Sequence, residues 1–139
     1  MGGRLTIDIN LMTTPQLVEH YVSLLLQQYS VRHHIDAEGR PDVRPWNRLA
    51  DRVEEVHREI KCRGHQGVDA ILPLIHHENP KVRYAAAVHC LRQRPDQVLP
   101  ILEEMARTVD SIETKTDPAR ALRMWREGEW EVDRQSISI

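Results

Sequence analysis

Eight histidines and two cysteines are the side chains of this sequence best suited to chemistry, because imidazole and thiolate ligate metals and serve as bases or nucleophiles. The best metal set on offer is Cys62, His65, His76 or His77, and Cys90, drawn from three separate segments. Zinc sites announce themselves by close ligand pairs at both ends, and here only Cys62 to His65 has such spacing. His89 and Cys90, adjacent on one helix, diverge by about 100° and are poorly placed to share an ion. No metal and no cofactor is therefore expected.

Carboxylates pair as Glu54-Glu55 and Glu103-Glu104 and line up as Asp51, Glu55 and Glu59. An acid and base couple needs a pocket that splits two pKa values. This row is instead interleaved with Arg48, Arg52 and Arg58 at salt-bridging spacing, the pattern of a solvated face. No Gly-x-Ser-x-Gly elbow, phosphate loop, dinucleotide fingerprint or local Cys-His signature is present, so the chain is not expected to be an enzyme. Lys81, Arg83, Arg92 and Arg94 could touch phosphates. Asp96, Glu103 and Glu104 lie nearby, however, and the net charge of -2 from 19 basic and 21 acidic residues gives no field to steer a polyanion. Trp125 and Trp130 bracket Glu127-Gly128-Glu129; one or both are expected to pack the last helix onto the core, and an exposed Trp130 would instead mark a contact anchor.

Residues of this kind need a scaffold, and 139 residues at 40% hydrophobic and 29% charged make about one globular domain that can bury a core without staples. No apolar stretch is long enough to span a membrane. Two cysteines are too few for the disulfide framework of a small secreted domain; two free, buried thiols are expected, with one bridge left open. Met1 to Asn10 lacks the apolar run of a secretory signal, from which a cytoplasmic location follows.

Residues 1–12 read as an N-terminal extension in which Leu5, Ile7 and Ile9 alternate as a short strand or an unanchored tail would. Thr13-Thr14-Pro15-Gln16 is the first strong helix start, with capping-box spacing between Thr13 and Gln16. Leu17, Tyr21, Leu24, Leu25 and Gln28 continue the helix as an apolar stripe. Gly39, Pro41 and Pro45 then predict a loop over about residues 31–45. Trp46, Leu49, Val53, Val56 and Ile60 predict a second helix ending near Gly64. Pro73 makes the third segment, Val68 to His77, short or bent, since an interior proline costs about 3 kcal/mol. Asn79-Pro80 starts a fourth helix over residues 80–93, Pro95-Asp96 a fifth through Ala106, and Asp117-Pro118 a sixth to Gly128. Residues 131–139 are read as a C-terminal tail.

One internal echo stands out. Ala70-Ile71-Leu72-Pro73-Leu74-Ile75-His76-His77 matches Gln97-Val98-Leu99-Pro100-Ile101-Leu102-Glu103-Glu104 at a displacement of 27 residues. Together with Asn79-Pro80-Lys81-Val82-Arg83, Ala85-Ala86-Ala87 and Leu91, this stretch resembles a HEAT repeat. The resemblance implies that Ala86 and Ala87 sit where helices touch and that Arg83 braces a turn. It covers residues 67–107 only, its period is short for that family, and His89 and Cys90 stand where the family has Ala and Leu. Over nearly the whole chain from Met12, the layout is also similar to a small bacterial all-helical family known only as a domain of unknown function. The residues that carry it are Thr13 to Val18, Trp46-Asn47-Arg48-Leu49, the HEAT-like block, and Ala121-Leu122 through Glu127-Gly128.

The resulting expectation is an all-α chain of about six helices. Antiparallel hairpins stack as a short HEAT-like solenoid or bundle, a single domain over residues 13–130. The expected role is a non-catalytic protein-binding module, in its specific form an immunity or antitoxin-like protein that neutralises a cognate toxin. Its candidate binding residues are Asp51, Arg52, Glu55, Arg58 and Glu59 on the second helix, with Lys81 and Arg83 on the fourth. A small metal- or nucleic-acid-binding helical protein is the alternative.

Overall fold

Thr13 opens the first helix by a reciprocal pair of hydrogen bonds. The Gln16 amide donates to the Thr13 hydroxyl at 3.2 Å, and the Thr13 amide donates to the Gln16 side-chain oxygen at 3.0 Å. This capping box satisfies two amides that the helix itself leaves unpaired, and Pro15 has none to lose. In the computed structural model, which describes residues 8–108 and 117–129, six α-helices follow. They are α1 (Thr14–Ser30), α2 (Arg44–Cys62), α3 (His65–Ile71), α4 (Pro80–Cys90), α5 (Pro95–Thr108) and α6 (Pro118–Arg126). Among the described residues there is no strand, only an isolated bridge between Ile35 and Pro41.

Consecutive helices fold back on each other as three hairpins: α1 on α2, α3 and its extension on α4, and α5 on α6. Helix α1 is the hub and touches α2, α3 and α4, while α4 passes the contact on to α5. One continuous core results, built from Leu17, Tyr21, Leu24 and Leu25 of α1, Val56 and Ile60 of α2, Ile71, Ile75, Val82, Leu91, Val98 and Leu102. Ala86 and Ala87 are fully buried, and side chains this small let neighbouring helices approach closely.

The two prolines of the echo act differently. Pro73 ends α3, because the chain tightens from Leu72 to His76 into a 3-10 turn with Pro73 in its opening positions. Pro100 lies inside α5, which runs on without a break. Burial nonetheless matches between the copies: Ile71 and Val98 are buried, as are Ile75 and Leu102, and both prolines are exposed. The tight turn ends against His77, whose Nδ1 accepts from the Asn79 amide at 3.0 Å. Asn79 then caps α4, accepting from the Lys81 and Val82 amides at 2.9 and 3.3 Å.

Several boundaries differ from the sequence expectation. Ile9 is not in a strand: Ile9–Leu11 is a 3-10 turn capped by Asp8, and the Ile9 carbonyl accepts from the Arg63 guanidinium at 3.3 Å. Leu5 and Ile7 lie outside the described residues, as do Trp130 and residues 131–139. Helix α2 starts two residues before Trp46 because the Asp42 carboxylate accepts from the Arg44 amide at 3.1 Å and Pro45 fits the first turn. Helix α4 stops at Cys90 rather than continuing to 93. Cys62 is exposed and not buried, while Cys90 is buried; both are free thiols.

Candidate functional site

Helix α2 carries two different faces. Counting about 100° per residue from Trp46, Val53 and His57 fall on the Trp46 side, whereas Asp51, Glu55 and Glu59 fall on the far side, centred roughly 180° away. Asp51, Arg52 and Glu55 are exposed there, and exposed Arg58 approaches Glu54 at 3.9 Å. Glu59 is engaged elsewhere: its carboxylate meets Arg63 at 3.1 Å, and Arg63 also donates to the Thr14 hydroxyl at 3.2 Å. Glu59 thus fastens α2 to the start of α1.

The structure separates Lys81 and Arg83 from that row. The Lys81 ammonium sits 4.7 Å from the centre of the Trp46 ring, on the inner side of α2. Burial pulls the Lys81 amine down to about 8, while the ring face favours the charged form. Arg83 is half-buried, and its Nε is withdrawn from solvent without a hydrogen-bonding partner. Arg94 is held by Asp69 at 3.0 Å. Two clusters emerge instead that the sequence reading did not select.

The first is the connection between α1 and α2, residues 31–43. It folds on itself through hydrogen bonds from the Asp36 amide to the Arg40 carbonyl at 2.8 Å and from the Asp42 amide to the His34 carbonyl at 2.9 Å. Asp36 also accepts from the Glu38 and Arg40 amides, both at 2.9 Å. Asp42 accepts from Arg44 Nε at 2.8 Å and Nη2 at 3.0 Å, which holds its carboxyl down at about 2. On this braced loop Ile35 is 58% and Val43 55% exposed. Gly39 supplies the positive φ of 81° that the turn needs.

The second lies between α2 and α4. The His57 and His89 rings stand 4.8 Å apart, tilted by 55°, with the Tyr21 ring of α1 6.3 Å from His57. Burial keeps both imidazoles neutral: it pushes His57 below its ordinary value and His89 down to about 3, with the charge of Lys61 acting in the same direction. His89 Nδ1 is withdrawn from solvent and has no hydrogen-bonding partner among the described residues. Cys90, next along α4, points elsewhere. Its thiol donates towards the Val68 carbonyl at 3.8 Å, and burial pushes it up to about 12, which disfavours the thiolate. The set Cys62, His65, His76 or His77, and Cys90 is not assembled: among the described residues no three His, Cys, Asp or Glu side chains converge as a metal site.

Residues 17–123 match the family model described as Domain of unknown function (DUF2019). The chain belongs to that family. The match runs from Leu17 in α1 to Arg123 in α6, so the DUF2019 unit takes in the braced loop, both faces of α2 and the histidine pair. It leaves the Thr13 and Gln16 capping box outside. The crystal structure of the protein RPA1889 from Rhodopseudomonas palustris CGA009 has a similar fold, with a TM-score of 0.73 over 88% of this chain and 96% of that one, at 24% identity. No curated protein matches this DUF2019 chain. No described helix is long and apolar enough to cross a membrane.

Proposed function

We propose that the chain is a non-catalytic protein-binding module whose contact surface is centred on the braced loop between α1 and α2. One observation carries this reading: Ile35 and Val43 are held out in solvent on a backbone pinned by Asp36 and Asp42. Two large apolar side chains exposed on an ordered loop contribute nothing to the core. A rigid presentation of them lowers the entropy lost on binding. The exposed charges Asp51, Arg52, Glu55 and Arg58, just along α2, suit the polar rim of such a contact.

In its specific form, the module is an immunity or antitoxin-like protein that occludes a cognate toxin. Small size and a rigid helical frame support that form, and the matched burial of Ile71 with Val98 and of Ile75 with Leu102 fits the resemblance to a helical repeat. Nucleic acid draws less support, because Arg94 is paired with Asp69 and Lys81 lies on Trp46.

The test is affinity capture from the source cell, followed by rebinding of the captured protein from purified components. Ile35→Asp with Val43→Asp is expected to abolish rebinding, and charge reversal at Asp51 and Glu55 to weaken it. A purified partner that binds all variants equally would remove this surface. Co-expression that leaves the captured protein's toxicity unchanged would remove the immunity form.

A further inference from the structure

Helices α2 and α4 meet through side chains, His57 against His89 and Trp46 against Lys81, at the edge of an apolar core. Two imidazoles meet there with the Tyr21 ring 6.3 Å from His57, and among the described residues no carboxylate hydrogen-bonds either ring. A buried acceptor or donor without a partner calls for an ion or a water in its place. His89 Nδ1 is such an atom.

We propose that His57 and His89 form a two-histidine site for a late first-row divalent transition-metal ion, with solvent filling its remaining positions. Geometry supports the pairing. Imidazole nitrogen binds such ions at about 2.0 to 2.1 Å, which puts each ring centre roughly 3 Å from the metal and two rings at a tetrahedral angle about 5 Å apart. The observed ring separation is 4.8 Å. Chemistry supports it as well, since neutral imidazole is the ligating form and suits zinc, nickel and copper. Both residues are half-buried, which puts the ring pair at the edge of the core, although His89 Nδ1 itself is covered and an ion reaches it only if the covering side chains shift.

The surroundings set the strength of the site. Lys61 and Arg58 place positive charge near the pair and oppose a dication, and Glu54 near His57 favours it. Tyr21 faces the site from α1 as a neutral phenol, and Cys90 is turned to Val68 and supplies no ligand. Two protein donors make a labile site, tightest for copper by the usual order of divalent affinities. Bound metal would clip α2 to α4 and so link the first hairpin to the second.

Untagged protein stripped with a chelator is titrated with Cu(II) and, separately, Ni(II), with Mg(II) as a control. One equivalent of Cu(II) or Ni(II) is expected to bind and to raise Tm by about 5 °C at saturating metal. Both effects should disappear in His57→Gln and in His89→Gln. They should persist in the exposed pair His33→Gln with His34→Gln and in exposed His76→Gln. Lys61→Gln should tighten binding by about tenfold, as removal of a nearby like charge predicts. Paramagnetic broadening by Ni(II) in the unmodified protein should fall first on the His57 and His89 resonances, a readout independent of any variant's folding. Absence of saturable binding, binding that survives either single substitution, or broadening centred on another histidine would overturn the proposal.

Discussion

Acid should destabilise this protein through His89, in a window set by the difference between its folded and unfolded protonation. The free imidazole value is 6.5, and burial beside His57 and Lys61 lowers the folded value to about 3. The unfolded chain therefore binds the proton first as pH falls, and the folded state loses stability progressively below 6.5, until His89 itself is protonated in the native structure near 3. Between pH 7 and pH 5, one such group removes about 2 kcal/mol as a ceiling, and about 1 kcal/mol once solvent screening of a half-buried ring is allowed for. His57 adds to this in the same direction. Urea unfolding at the two pH values, with chelator present, measures the effect. The wild-type midpoint should fall by about 0.5 to 1 M more than that of His89→Leu, all other titrating groups being common to both. Equal pH dependence in the two proteins, or an NMR titration of His89 with a midpoint at or above the free imidazole value, would refute the reasoning.

Three further outcomes follow from single contacts. Asn79→Ala removes the acceptor of two α4 amides and should lower stability by about 1 kcal/mol, read from thermal or urea unfolding. Gly67→Ala should be worse, by about 2 kcal/mol or more, because an added Cβ would collide with the Ile60 carbonyl oxygen and lie 3.0 Å from Ile60 Cγ2 where α3 crosses the end of α2. A thiol reagent should modify exposed Cys62 at once and Cys90 only on unfolding, so one thiol per chain reacts in buffer and two in denaturant.

The helices were legible because each start is written in local chemistry. Thr13 with Gln16, Asn79 with Pro80 and Asp117 with Pro118 all cap where their spacing predicts. Other boundaries were less so: α4 ends at Cys90 with no stop signal next to it, and α2 begins at Arg44 because of a carboxylate outside the helix, at Asp42. The different behaviour of Pro73 and Pro100 in matched apolar contexts was not readable either. Whether a missing amide breaks a helix depends on what the rest of the turn packs against, and that is tertiary information.

The site was less legible than the fold, and the reason lies in which residues draw attention. Charged rows such as Asp51, Glu55 and Glu59 are conspicuous in sequence, yet Glu59 closes on Arg63, and Lys81 folds onto Trp46 on the opposite side of the helix. The histidine pair was hidden in plain periodicity. His57 continues the stripe of Trp46 and Val53, four residues after Val53 and three before Ile60, so a polar ring on the inward side of α2 could have been noticed. Its partner His89 stands at the position where the HEAT-like resemblance expects alanine. Two such departures, each unremarkable alone, become informative when the fold brings their rings to 4.8 Å. An alanine at position 89 would pack more simply and leave no orphaned nitrogen. A polar ring pair at the edge of an apolar core makes the fold sensitive to acid, a cost that alanine at position 89 would not carry, and so points to a use other than holding the fold together.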